Sequence, residues 1–262
     1  MPPQNLPLEV RRNIFIRVED KGKKLAKSIP EVFSAIAPSF FRKISIGSTK
    51  TLKPEEKEQT ELARIYPDSG KYVESLTIVT DAPYFHTIVP FLKNFPPTPK
   101  LKHVRLVYST STLGIASLYY IGYESLLITI FQHSPYLSRL SFVNTLPSRS
   151  LINACIDKLT RLDIGYIPGY PNVNNIPFQI PIPPLLEIFS ITPQAASYFT
   201  GVPPPTLTVI IVNSDDDQRD HGIPYACREF ISRCKNVTSL AVVEEGNFFF
   251  FFQKKSPLLI NS

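Results

Sequence analysis

Tryptophan is absent from this 262-residue chain, methionine occurs once, cysteine three times and glycine only ten times. Each scarcity removes a class of explanation. The three cysteines, Cys155, Cys227 and Cys234, build no disulfide framework, and their odd number points to a reducing compartment. The closest two glycines are Gly165 and Gly169, so neither a phosphate-binding P-loop nor a dinucleotide fingerprint exists. No Gly-x-Ser-x-Gly elbow is present. The histidines, His86, His103, His133 and His221, are scattered and include no His-Glu-x-x-His pair. His221, Cys227 and Cys234 could be drawn together as zinc ligands, but their spacing matches no common structural site and core cysteines are the simpler reading. Asp215, Asp216 and Asp217 read as a solvated loop after a strand. The expectation is a protein that is not an enzyme and has no cofactor and no metal.

Long apolar runs are missing too. Nothing approaches the ~20 residues that span a bilayer, and the N-terminus has no apolar core of a secretory signal. A soluble protein of the cytoplasm, the nucleus or both, with no membrane partner, is expected. Charged residues are slightly scarce at 19%, which argues against wholesale disorder, while 43% hydrophobic residues suffice for a core. The net charge of +6 sits in residues 1–50, where ten Lys or Arg face Glu9, Glu19, Asp20 and Glu31. That basic head could attract nucleic acid or an acidic protein, or be a solvated helix face. It lacks the interleaved aromatics that stack bases, so nucleic acid is the less expected partner.

Proline is plentiful: 26 residues, near one in ten, about twice the usual ~5%. Helix interiors and central strands exclude so many, so they must punctuate many short elements. Between those breaks one pattern recurs, apolar-x-x-apolar-x-apolar. It runs Phe41-Ile44-Ile46, Val73-Leu76-Ile78, Leu101-Val104-Leu106, Leu137-Leu140-Phe142, Leu159-Leu162-Ile164, Leu186-Phe189-Ile191, Leu207-Ile210-Val212 and Val237-Leu240-Val242. The middle positions lie 32, 28, 36, 22, 27, 21 and 30 residues apart. Residues two apart share one face of a strand, and the third packs where the chain turns into it. So small a unit cannot bury its own apolar face and must stack on neighbours.

Helical spacing fills several gaps. Phe85, Ile88, Leu92 and Phe95 fall on one face over 84–95, with Pro90 expected to kink the helix. Tyr123, Leu127 and Ile130 repeat the spacing in 123–134, and Cys227, Phe230, Ile231 and Cys234 do so behind Pro224. Residues 167–184 hold six prolines and read as an extended connector, or as a ligand for proline-binding adaptor domains.

The recurring unit resembles the leucine-rich-repeat family, with Asn144 and Asn213 near the Asn position that usually follows the strand. At the N-terminus, Leu6-Pro7-x-Glu9-Val10 is followed by Ile14-Phe15, then Phe33-x-x-Ile36-Ala37 and Phe41-Arg42. This stretch resembles a fungal-type F-box. The resemblance implies docking on a Skp-type adaptor, and through it on a cullin ubiquitin ligase, while the repeats capture an unknown target protein. Carried over by position, Leu6, Pro7, Val10, Ile14, Phe15, Leu25 and Ile29 are the adaptor-binding candidates. The expected fold is therefore α/β. A short helical F-box-like segment, 1–46, precedes an irregular leucine-rich-repeat-like solenoid of parallel strands backed by helices, 47–247. An aberrant Phe-rich tail, 248–262, follows and is expected to pack poorly. Thr77, Arg105, Ser141 and Asp163 stand between the inward residues of their strands, so period two turns them outward as target-binding candidates. A plain repeat module without adaptor binding is the alternative.

Overall fold

In a computed structural model of the chain, the six-residue pattern marks the start of one strand after another. The structure describes residues 37–47, 54, 56, 69–80, 85–95, 97–108, 121–165, 179–196, 198–214, 225–244 and 247–253. The strands are β1 (Lys43–Gly47), β2 (Ser75–Thr80), β3 (His103–Tyr108), β4 (Arg139–Val143), β5 (Arg161–Ile164), β6 (Ile180–Pro181), β7 (Ile188–Ile191), β8 (Phe199–Thr200), β9 (Val209–Ser214), β10 (Ser239–Glu244) and β11 (Asn247–Gln253). Between them lie α1 (Phe85–Lys93), α2 (Ile121–Gln132), α3 (Arg149–Asn153), α4 (Pro193–Ala196) and α5 (Tyr225–Ser232).

Proline sets up the turns before the strands. Hydrogen bonds run from Leu101 N to Thr98 O (3.1 Å), Leu137 N to Ser134 O (3.2 Å), Leu186 N to Pro183 O (3.2 Å) and Leu207 N to Pro204 O (3.1 Å). The second residue of these four turns is Pro99, Pro135, Pro184 and Pro205. Proline's fixed φ suits that position, and the turn requires no N–H from it. Val73 makes the same bond to Gly70, at 3.1 Å, with Lys71 in the proline position.

A second backbone device follows at once. The carbonyl of Arg42 accepts from both Glu74 N (2.9 Å) and Ser75 N (3.1 Å). The same forked acceptor recurs at Glu74, Lys102, Ser138, Thr160, Glu187 and Thr208, each receiving two N–H groups from the unit that follows. Seven repetitions lock each strand beside the last at one register. Ile44, Leu76, Val104, Leu140, Leu162, Phe189, Ile210 and Leu240 consequently stand in a single row.

The outcome is a nine-stranded sheet ordered β1-β2-β3-β4-β5-β7-β9-β10-β11, with only the β10–β11 pair antiparallel. Each parallel strand joins the same growing edge; β6 and β8 pair apart, as a small second sheet. The fold is thus α/β with a mostly parallel sheet and few helices. Phe248–Phe252, the start of the sequence-defined tail, lies within β11, whose backbone pairs with β10. Residues 254–262 lie outside the described residues.

All eight middle positions are buried, as are the residues two further on, from Ile46 to Val242. Seven of the eight turn residues are buried as well, and Val237 is partly buried against the same core. Ile88 and Leu92 of α1, Leu127 and Phe131 of α2, Leu151 and Ile152 of α3, and Cys227 and Phe230 of α5 complete that core. The α1 helix continues through Pro90, and the Asn94 side-chain amide donates to the Pro90 carbonyl at 3.0 Å. The α2 C-terminus is capped by Lys158, whose ammonium donates to the carbonyls of Phe131 (2.7 Å) and Ser134 (2.9 Å). Burying Leu162 fully is worth far more than one turn proline. Leu162→Ala should destabilise the fold by about 2–5 kcal/mol. Pro135→Ala should cost only about 0.4–1 kcal/mol, through the freer unfolded chain. Urea denaturation of both variants checks the ranking; a Leu162→Ala loss below that of Pro135→Ala would contradict it.

Candidate binding face

The sheet face opposite the helices is read off the same register. One row crosses it as Ser45, Thr77, Arg105, Ser141, Asp163 and Ser190. All four target-binding candidates from the sequence stand in that row, on adjacent strands. They do not share one environment: Arg105 is exposed, Thr77 and Asp163 are half-buried, and Ser141 is buried. The adjacent row, two residues earlier, reads Lys43, Ser75, His103, Arg139 and Arg161.

These two rows are tied by one hydrogen-bond chain. Asp163 accepts from Arg139 Nε (2.8 Å), Ser141 Oγ (2.9 Å) and Arg161 Nε (2.9 Å). His103 Nε2 lies 2.9 Å from Ser141 Oγ, and its Nδ1 lies 3.4 Å from Ser75 Oγ. The carboxylate is acceptor-only, so the Ser141 hydroxyl proton goes to Asp163. Ser141 Oγ then accepts from His103 Nε2–H, which leaves Nδ1 to accept from Ser75. With the imidazole neutral, the chain runs one way, Ser75 to His103 to Ser141 to Asp163.

Burial, and after it the Arg139 guanidinium, favour that neutral form, with Arg105 and Arg161 acting in the same direction. Asp163 opposes them, yet the His103 pKa is lowered from its ordinary value near 6.5 to about 4. The arrangement inverts a nucleophilic triad. A serine stands between histidine and carboxylate, and the carboxylate is committed to two guanidiniums. What it does is hold arginines in place. Each uses Nε on Asp163, which leaves its Nη groups without a hydrogen-bond partner among the described residues. Exposure follows suit: 39% for the Arg139 side chain and 33% for Arg161, against 15% for Asp163 beneath them. With Arg105, three cations face one anion.

The next row along the strands is apolar: Val79, Val107 and Val143, all half-buried, stand side by side on β2, β3 and β4. Just past the end of β5, Gly165 lies beside Val143, where an added Cβ would stand 3.2 Å from the Phe142 carbonyl oxygen and force the neighbouring backbone to give by a few tenths of an ångström. Asn144, at φ 57°, donates to the Tyr108 carbonyl at 3.1 Å, and Asn213 donates to Ser190 Oγ at 2.9 Å. Both asparagines thus link neighbouring units.

Elsewhere the three cysteines weighed from the sequence lie in or against the core, and Asp215, Asp216 and Asp217 lie outside the described residues. Burial pushes the thiols of Cys155, Cys227 and Cys234 up to about 12, which keeps them protonated and poor as nucleophiles or metal ligands. No group of three metal-ligating side chains occurs among the described residues. Nor, among them, is any helix long and apolar enough to cross a membrane. The adaptor-binding candidates Leu6, Pro7, Val10, Ile14, Phe15, Leu25 and Ile29 lie outside the described residues, as does His221.

Sequence reasoning named Ser141 and Asp163 but missed Ser75, His103, Arg139 and Arg161. The signal was present as period two: Arg139-x-Ser141 and Arg161-x-Asp163 place each arginine on the face of its neighbour. His103 also generates a pH prediction. As pH falls below about 6.5 the unfolded imidazole takes a proton, while the native one resists until about 4. Native stability from this group is therefore complete above pH 6.5 and is lost progressively towards pH 4. His103→Gln keeps one donor and one acceptor without titrating. Urea midpoints at pH 7.5, 5.5 and 4.5 should fall more steeply for the wild type than for the variant; parallel slopes would show an imidazole titrating as in water.

Compared with known proteins, no family model matches the chain and no curated protein sequence matches it, so its function is argued from this face and from the N-terminal segment.

Proposed function

We propose that the chain is a non-enzymatic recognition subunit of F-box type. In this reading the N-terminal segment docks on a Skp-type adaptor of a cullin ubiquitin ligase, and the sheet, as an irregular leucine-rich-repeat-like solenoid, captures a target protein. The work would take place in the cytoplasm, the nucleus or both. The observation that carries the reading is the ordered charge on the outer face. Arg139 and Arg161 are anchored by Asp163 with their outer donors unused, across neighbouring strands at one register. Guanidiniums held this way are prepared for a partner at little cost in side-chain entropy. The forked carbonyls support a repeat architecture, because each unit contacts the next through the same backbone geometry. For the adaptor half of the reading, support comes from the residues that resemble an F-box.

An adaptor-docking helix works by burying a few apolar side chains. Val10 and Ile14 are four residues apart, so on a helix both enter one groove. Ile14→Asp forces a charge into that groove. Truncating an interface anchor costs about 2–4 kcal/mol, and a charge costs at least as much. Affinity should fall roughly thirty- to a thousandfold, enough to abolish co-purification with the adaptor. Lys24→Asp, in the charged stretch, should change binding little. Adaptor binding of the wild type and both variants, with folding checked by circular dichroism, decides the matter. A wild-type chain that binds no Skp-type adaptor sinks the receptor reading and leaves a plain repeat interaction module.

A further inference from the structure

We infer that the outer face of β2–β5 is a two-strip subsite for a protein segment that carries carboxylates next to aliphatic side chains. This inference rests on the proposed role of that face in recognition and names the class of partner it takes. Its first strip is cationic: Arg139 and Arg161 are register partners on β4 and β5, and Arg105 lies on β3 opposite Ser141. Strands stand about 4.8 Å apart, so Arg139 and Arg161 are neighbours and Arg105 is diagonal to Arg139. Asp163 occupies Nε of two of these arginines and no more. The free edge of each guanidinium carries paired N–H groups, the geometry that receives a carboxylate at two points.

The second strip is Val79, Val107 and Val143. It lies one step beyond Arg105 and two steps beyond Arg139 on the same face, about 7 and 13 Å away. An extended peptide spans those distances in two to four residues. An acid and a Val, Ile or Leu at that separation satisfy both strips at once.

Charge and apolar surface together select a polypeptide over a nucleic acid. Single strands are gripped by stacking on exposed aromatics, and these rows carry no Phe, Tyr or Trp; their one aromatic ring, the half-buried His103 imidazole, is held between Ser75 and Ser141. Three guanidiniums against one carboxylate suit one or two acids, not a continuous phosphate backbone.

The test pans a random twelve-residue peptide display library on the full chain at physiological salt. The enriched sequences should pair Asp or Glu with Val, Ile or Leu two to four residues away. A labelled winner should then bind about tenfold more weakly to Arg105→Gln and to Val107→Thr, measured by fluorescence anisotropy. Arg105 is exposed and has no ion-pair partner among the described residues, so its replacement leaves the fold intact. Enrichment of neutral, basic or aromatic sequences would overturn the inference. So would unchanged affinity in Arg105→Gln, or tighter binding of a labelled twelve-nucleotide single strand than of the winning peptide. Adaptor binding measured on the same preparation separates the two claims. Peptide capture without adaptor binding keeps the subsite and removes the receptor role; the reverse removes the subsite alone.

Discussion

One backbone carbonyl per unit holds this structure in register. From Arg42 to Thr208, the residue just before a strand offers its oxygen to two consecutive N–H groups of the following unit. A parallel sheet has no hairpins to set its pairing, and a slip of one residue would turn every apolar side chain to the wrong face. The forked carbonyl prevents that slip where the strand begins. In four of the units a proline turn immediately upstream delivers the chain at a fixed angle, so that part of the ordering falls to a residue with little freedom to lose. Four of the 26 prolines, Pro99, Pro135, Pro184 and Pro205, stand in these turns, at a position where proline's fixed φ fits.

The binding face is a consequence of that register. Arginines on β4 and β5, serines on β2 and β4, a histidine on β3 and an aspartate on β5 come from four strands between residues 75 and 164. They form one network only because each strand advances without offset. Buried in apolar surroundings such a network would be expensive. On the outer face it costs less, because the guanidiniums keep part of their hydration while the carboxylate beneath is fully occupied. The imidazole joins the two serines, and its burial first, then the Arg139 guanidinium beside it, favour its neutral form. Whole-chain charge conceals this, since residues 51–262 balance to zero. The asymmetry lies between places on one sheet, not between segments of sequence.

Much of the fold was legible beforehand, for a specific reason. The apolar-x-x-apolar-x-apolar unit encodes both a turn and an inward face, and the sixteen strand positions it marks, Ile44 to Val242, are buried. The helices were visible where a few apolar residues recur at helical spacing, as with Ile88 and Leu92, although Phe131, at the core of α2, was overlooked beside Ile130. Period two correctly aligned Thr77, Arg105, Ser141 and Asp163, yet it could not show that Ser141 is enclosed by its partners. Hydrogen bonding across strands depends on register between units 22 to 38 residues apart, as in Ser141 to Asp163 or His103 to Ser141, and no local pattern carries that information. The Phe248–Phe252 run shows only part of its setting in sequence: its backbone pairs with β10 across units that no local pattern links.

The account divides the proposed labour in two, with an N-terminal segment that docks and a sheet face that stays open for capture. Hydrogen–deuterium exchange of the full chain, with and without a Skp-type adaptor, tests that division most directly. The account predicts slowed exchange confined to residues 1–36, with β3, β4 and β5 unchanged. Protection across β3–β5 on adding adaptor, or no protection of 1–36 at saturating adaptor, would contradict it.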